Sequence, residues 1–255
     1  MRVLVCIKRV PAPGARISLT ADGQAVDTTH LGFTMSPHEE CALEAGLALV
    51  EAHGGSVTAL TVGPPEAEEQ LRYAASLGVT GVVLVPTKGD DWDPQRTARA
   101  ITGAIAHLET GAEGTFDLIL FGNESADSGG FQVGVRVARA LDRPMITGAK
   151  GLTVSDTTAS IRREIDGAQE VYELPLPAVV GVKEGINLPR YPTMKGRLTS
   201  RKAAVDSLAA IGEAGGPTMV TLLAPPEVES HLVLLGDGAA AAPAVVDVLE
   251  TLGLT

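Results

Sequence analysis

Aromatic side chains are nearly missing from this chain. It has four Phe, three Tyr and one Trp among 255 residues, so its core cannot be built around stacked rings. Val, Leu, Ile and Ala must fill that core instead, and apolar types make up 45% of the residues. This palette suits a parallel sheet covered by Ala-rich helices. Cysteine is scarce as well: Cys6 and Cys41 stand alone, with no CxxC spacing. A disulfide scaffold and a cysteine metal site are thereby excluded, and two lone thiols point to a reducing compartment. No apolar run reaches the roughly 20 residues that cross a bilayer. The opening strand-like run Val3 to Ile7 is too short for the apolar part of a signal peptide. The expectation is a cytoplasmic protein without membrane insertion. Basic residues are outnumbered, 20 Lys and Arg against 31 Asp and Glu for a net charge of −11. Such a chain repels a phosphate backbone, which argues against a nucleic-acid partner.

Catalytic constellations are lacking too. His30, His38, His53, His107 and His231 are scattered, and none has metal-ligand spacing to another. There is no GxSxG elbow, no Walker A loop and no GxGxxG fingerprint. The run Asp90-Asp91-Trp92-Asp93 ahead of Pro94 reads as a helix-capping turn rather than a metal site. The chain is therefore expected to have no catalytic site and no metal of its own.

What is present is a rhythm. Val3 to Ile7, Ser56 to Val62, Gly81 to Pro86 and Phe116 to Phe121 are short apolar runs that read as strands. Between and after them stand helical patterns at Pro37 to His53, Pro65 to Leu77, Pro94 to Leu108 and Ser128 to Leu141. Ser36 is placed to cap the first helix, with Pro37 in its first turn and Gly54-Gly55 as its stop. This order predicts an α/β fold with a doubly wound, mostly parallel sheet of Rossmann-like type. Asp22-Gly23 marks a hairpin turn between Ile17 and Val26. A β-hairpin is predicted from Ala159 to Glu164 and Glu170 to Leu174 around Asp166-Gly167, followed by a buried strand from Ala178 to Val182. Residues 183–202 read as a loop, Lys202 to Ile211 as a helix-like piece, and Pro243 to Leu252 as a last amphipathic helix. The organisation expected is a domain over 1–202 and a C-terminal arm over 203–255.

Ligands of doubly wound sheets bind beyond the carboxyl ends of the strands. Here one such end carries Gly122-Asn123-Glu124-Ser125-Ala126-Asp127-Ser128-Gly129-Gly130-Phe131-Gln132-Val133. Glycines permit close backbone approach, and free N–H groups at a helix start favour a phosphate. The same residues would also make an ordinary strand-to-helix turn. A second feature is a basic island in an acidic chain. Lys183, Arg190, Lys195, Arg197, Arg201 and Lys202 are interleaved with Ile186, Leu188, Tyr191, Met194 and Leu198. It reads either as a docking segment or as a solvated crossover.

Several stretches together resemble the β subunit of electron transfer flavoproteins (the FixA family). They are Arg2 to Pro11, Leu77-Gly78-Val79 through Val85, and the loop from Gly122 to Gly134. The most specific are Ile161 to Val171 with Leu176-Pro177-Ala178-Val179-Val180, and Gly185-Ile186-Asn187-Leu188-Pro189-Arg190-Tyr191-Pro192. The likeness runs from Met1 to about Lys202. It implies an adenine-nucleotide-hydrolase-like fold and a heterodimer with an α subunit that carries most of a redox FAD. It further implies an AMP held by the β subunit, or a second FAD in electron-bifurcating members. By position, the nucleotide would contact Cys6, Ser36, Pro37, His38, Glu39, Val62 and Gly122 to Val133. The loop after Asn187 would dock flavin-dependent dehydrogenases through Arg190, Tyr191, Met194 and Lys195, and the arm would pack on the α subunit. The chain departs from the family pattern at His38, where an aromatic or other large side chain is usual, and at Glu124, where Gln is usual. Two other readings stand beside this one. One is an ATP-binding regulatory domain of the universal-stress type, which would end near residue 150. The other is a nucleotide-activating enzyme, against which the missing ATP-cleaving loop counts.

Overall fold

The computed structural model describes residues 1–88, 92–111, 114–209, 211, 215–226 and 232–254. Along the chain the elements are β1 (Arg2–Ile7), β2 (Val10–Pro11), β3 (Phe33–Thr34), α1 (Pro37–His53), β4 (Ser56–Gly63), α2 (Glu68–Leu77), β5 (Gly81–Pro86), α3 (Pro94–Glu109), β6 (Leu118–Gly122) and α4 (Val133–Ala140). There follow β7 (Met145–Ser155), β8 (Thr158–Ile165), β9 (Ala168–Pro175), β10 (Ala178–Val182), α5 (Met194–Ser200), β11 (Asp206–Ser207) and α6 (Ala242–Thr251). The main sheet has the order β11-β5-β4-β1-β6-β10-β7-β8-β9. It is parallel from β11 to β7, and β8 and β9 continue it antiparallel.

The alternation of β-strand side chains divides the core in two. Val3, Val5 and Ile7 of β1 face α1 and α2, together with Val57, Leu84, Leu120 and Val180. Leu4 and Cys6 face the other way, with Leu60, Val85, Ile119 and Val179, against α3 and α4. Burial on both faces explains why the strands read as unbroken apolar runs. After β1 the chain winds one way through α1 to β4 and β5, then crosses by α3 to β6 on the other side of β1. The switch point of the winding therefore lies between β1 and β6, where a crevice opens at the carboxyl ends.

The doubly wound reading holds, and four details differ from it. The helix expected from Ser128 begins only at Val133, because Gly129 and Phe131 take positive φ values of 53° each and interrupt helical geometry. The predicted hairpin forms as β8 and β9, but a further antiparallel strand precedes it. The extra one, β7, hid behind Gly148 and Gly151, and its pairing shifts register twice. The 183–202 segment contains a helix, α5, capped by the Thr193 hydroxyl, which accepts from the Gly196 N–H at 3.0 Å. The helix expected from Lys202 to Ile211 does not form over 203–209; a short strand, β11, adds to the edge beside β5 instead. The Asp22-Gly23 turn is present with a single bridge, Leu19 to Val26. Asp93 caps α3 by accepting from the amides of Gln95 and Arg96, while Asp90, Asp91 and His231 lie outside the described residues. No helix among the described residues is long and apolar enough to cross a membrane.

Candidate functional site

Helix α1 enters the crevice through its capping residues. Ser36 is extended (φ −73°, ψ 152°) and fully buried, and its amide donates to the Glu39 carboxylate at 3.2 Å. Its hydroxyl donates to the Glu124 carbonyl at 3.4 Å, tying the helix start to the loop after β6. Gly122 makes this approach possible. A Cβ there would stand 2.7 Å from Glu39 Cγ and 3.2 Å from the Glu39 amide nitrogen. Burial raises the Glu39 carboxyl to about 8, against the opposing pull of the Lys8 and Ser36 amides.

The loop after β6 is braced on both sides. The Asn123 amide donates to the Val182 carbonyl at 2.8 Å, and its side-chain oxygen accepts from the Gly148 amide at 2.7 Å. Lys8, just past β1, reaches across the switch point to Asp127 at 2.5 Å. Burial alone would raise the Asp127 carboxyl; the Lys8 ammonium and the surrounding donors outweigh it and hold it below its ordinary range. His38 accepts from the Glu184 amide at Nδ1 (2.8 Å), which places its ring proton on Nε2, 3.4 Å from the Glu124 carboxylate.

Together these groups enclose a cleft of about 380 Å³, lined by Pro37, His38, Glu124, Ser125, Ala126, Asp127, Ser128, Gly129 and Glu184. That size lies within the roughly 300–1,000 Å³ of small-molecule sites. All but Glu184 of these residues are among those expected from the sequence. Ser36, Glu39, Gly122 and Asn123 stand behind the lining and position it. The cysteine and valine side chains of Cys6 and Val62 are elsewhere, turned into the core against α3 and α4. Cys6 is sealed there, and burial pushes its thiol up. Gly130, Phe131, Gln132 and Val133 lead into α4, with Phe131 half exposed. The sequence reading missed Glu184 as a member of the site, and it brought Lys8 to the crevice at the end of β1 without counting it among the contacting residues. Their signal was position, immediately beyond the carboxyl ends of β1 and β10.

The chemistry of the cleft is specific. Glu124, Asp127 and Glu184 make its lining acidic, and Lys8 is taken up by Asp127. A phosphate would therefore depend on hydroxyls and amides rather than on net positive charge. Ser125 and Ser128 hydroxyls lie 2.9 Å apart at the cleft edge. A Cβ built on Gly129 or Gly130 would meet nothing within 4 Å, so the loop leaves open space at its backbone. Backbone left open in this way lets a ligand approach the loop closely. Among the described residues no group of three His, Cys, Asp or Glu side chains is placed to hold a metal ion.

The 183–202 segment packs along α1 and α2. The Asn187 side-chain amide donates to the Cys41 carbonyl at 2.9 Å. Arg190 forks onto Glu44 (2.7 and 2.9 Å) and onto Glu51 (2.5 and 2.9 Å). Arg190 was expected to be a docking cation; its guanidinium is instead committed to its own chain. Tyr191 and Met194 are 88% and 76% exposed, and Lys195 is exposed beside them.

A family model described as "Electron transfer flavoprotein domain" matches residues 25–212. The chain belongs to the electron transfer flavoprotein family. Its similarity is to the β subunits: it is 34% identical to "Electron transfer flavoprotein subunit beta" of Bacillus subtilis, over 86% of this chain and 86% of that protein. It is 30% identical to the protein of the same name from Megasphaera elsdenii, over 92% and 91%. It is 29% identical to "Protein FixA" of Azorhizobium caulinodans, over 96% and 91%. Family membership makes it an electron-transfer β subunit of flavin-associated type, with an α subunit as the implied partner.

Proposed function

We propose that the cleft between α1 and the loop after β6 holds AMP, and that the chain works as the β subunit of a cytoplasmic heterodimer that hands electrons from flavin dehydrogenases to an acceptor. The observation that carries this is the cleft itself, an open glycine cradle at the switch point of a chain from this family. In this reading the hydroxyls of Ser125 and Ser128 and the amides of Gly130 to Gln132 receive the phosphate, while the Gly129 amide holds the turn by donating to the Ser125 carbonyl at 3.0 Å. The adenine lies toward the main chain at Cys6 and Val62, and Ser36 to Glu39 close the other wall. The FAD, carried mainly by the α subunit and enclosed from this side, supplies the redox chemistry; this chain supplies shape, charge and docking. In this reading the chain acts as a carrier subunit without a catalytic constellation among its described residues. Tyr191, Met194 and Lys195 form the surface for the dehydrogenase, with Arg190 holding it in place.

The arm from residue 203 is the surface for the α subunit. It leaves Leu232, Val233 and Leu234 73–85% exposed and α6 without a buried residue, more apolar area than a monomer normally shows to water. A universal-stress-type domain ending near residue 150 does not suit this sheet, because β10 lies between β6 and β7 and binds both halves into one body.

The test is co-expression with the α subunit, followed by release and chromatography of bound nucleotides. One FAD and one AMP per heterodimer is the expected result. Two FAD molecules would replace AMP with a second flavin and make the protein a bifurcating member. FAD alone, with an empty second site, would refute the nucleotide-holding role.

A further inference from the structure

Helix α1 serves two regions at once. Its first turn puts His38 in the cleft wall, and its next turns hold the docking segment through Cys41, Glu44 and Glu51. The segment itself begins in the cleft. Glu184 lines it, and the Glu184 amide donates to His38 Nδ1 at 2.8 Å. On either side the chain is tied by polar contacts. The Lys183 amide donates to the Ala149 carbonyl at 2.9 Å, and the Lys150 ammonium donates to the Glu184 carbonyl. Ile186 packs partly buried against the core, but Leu188 and Tyr191 are 90% and 88% exposed, so much of this stretch relies on polar ties. A segment held mainly by polar ties opens locally when one tie is lost. Of these ties, the one between His38 and Glu184 joins two residues that line the cleft.

We infer that His38 is a positioning residue that couples occupancy of the cleft to the order of the docking segment. A molecule seated against both His38 and Glu184 holds this link closed and keeps Tyr191 and Met194 in a preformed arrangement. Without it, residues 184–190 open more often. The inference rests on the cleft being a nucleotide site. One neutral hydrogen bond corresponds to about a fivefold change in a local opening equilibrium. Linkage makes the effect reciprocal: opening the segment weakens the ligand by the same factor.

The test is hydrogen exchange on the α–β heterodimer, stripped of nucleotide and then saturated with AMP. Exchange at the amides of residues 184–190 should slow about fivefold on AMP addition, with β8 and β9 unchanged. His38→Phe keeps a ring and removes the acceptor, so the AMP-dependent slowing should vanish. His38→Asn places an oxygen near the Nδ1 position and should restore it. A residue that only supported the fold would alter exchange equally with and without AMP. Saturable AMP binding with no change at 184–190, or an undiminished AMP effect in His38→Phe, would overturn the coupling and leave the nucleotide site standing. Failure of the wild-type heterodimer to bind AMP would overturn both. The wild-type comparison needs no variant, so a misfolded substitution does not block the test.

Discussion

Replacing Arg190 by Met keeps much of the aliphatic stem and deletes the fork that grips α1. Glu51 is 60% exposed, so its half of the fork contributes only a few tenths of a kcal/mol (about 0.3–0.5). Glu44 is 14% exposed and accepts from the Arg190 amide as well as its guanidinium, so losing the cation leaves a largely shielded carboxylate without its main partner. Hydrogen bonds to charged groups are worth about 1.5–3 kcal/mol, and partial access to water takes the lower part of that range. The sum is about 2 kcal/mol, or roughly a 30-fold shift in local opening. Because Tyr191 and Met194 bury little, this cost falls on the segment rather than on global unfolding. Hydrogen exchange should therefore quicken about 30-fold at Asn187 to Thr193, with the rates of β1, β4 and β6 unchanged. Arg190→Lys keeps the charge without the planar fork and should recover only part of the protection. A change below about threefold at the segment, or an equal acceleration in the central strands, would refute the clamp.

Other perturbations separate the roles of neighbouring groups. Glu39 has a folded value of about 8 against an ordinary 4.5, so between those values the folded state binds the extra proton and stability falls as pH rises. Chemical denaturation from pH 5 to 8 should show a decline no steeper than about 1.4 kcal/mol per pH unit, and Glu39→Gln should flatten it. Gly196→Ala would bring a Cβ to 2.2 Å from the Ser76 carbonyl oxygen, forcing α5 off α2; a loss on the order of 1–3 kcal/mol in urea denaturation is expected. Met194→Asp touches an exposed side chain and should leave stability within about 0.5 kcal/mol. Its effect should appear as weaker docking of a flavin dehydrogenase in surface plasmon resonance; unchanged docking would remove Met194 from the interface.

The parallel half of the fold was legible because its physics is local. Short β-branched apolar runs bounded by turn residues suit strands buried on both faces, and Ser36-Pro37 and Asp93-Pro94 announce helix starts by their capping chemistry. The loop from Glu124 to Gly129 in the cleft wall follows from the end of β6, whereas Pro37 and His38 came only from the family resemblance. The antiparallel half was less legible. Strand β7 is interrupted by Gly148 and Gly151, and its register shifts on both sides, against Val180 to Val182 about 30 residues on and against Arg162 to Arg163 in the next strand. The two glycines broke the alternation that marks a strand, so β7 did not stand out from the loop before β8.

Arg190 shows where a residue-type reading stops short. Among basic and exposed apolar neighbours it looks like one more docking cation, and the motif around it supports that view. Its partners had been visible too: Glu44 and Glu51 are seven residues apart on a helix, two turns on the same face, and so form a ready-made acidic site. What the sequence did not contain was the path of the segment that lays Arg190 against that face. That path begins with the Glu184 amide on His38 and the Asn187 side chain on the Cys41 carbonyl, which align the segment with α1 before Arg190 is reached. The acidic face of α1 thus selects which cation of the island becomes structural. The cations beyond it, Lys195 first among them, remain exposed at the surface.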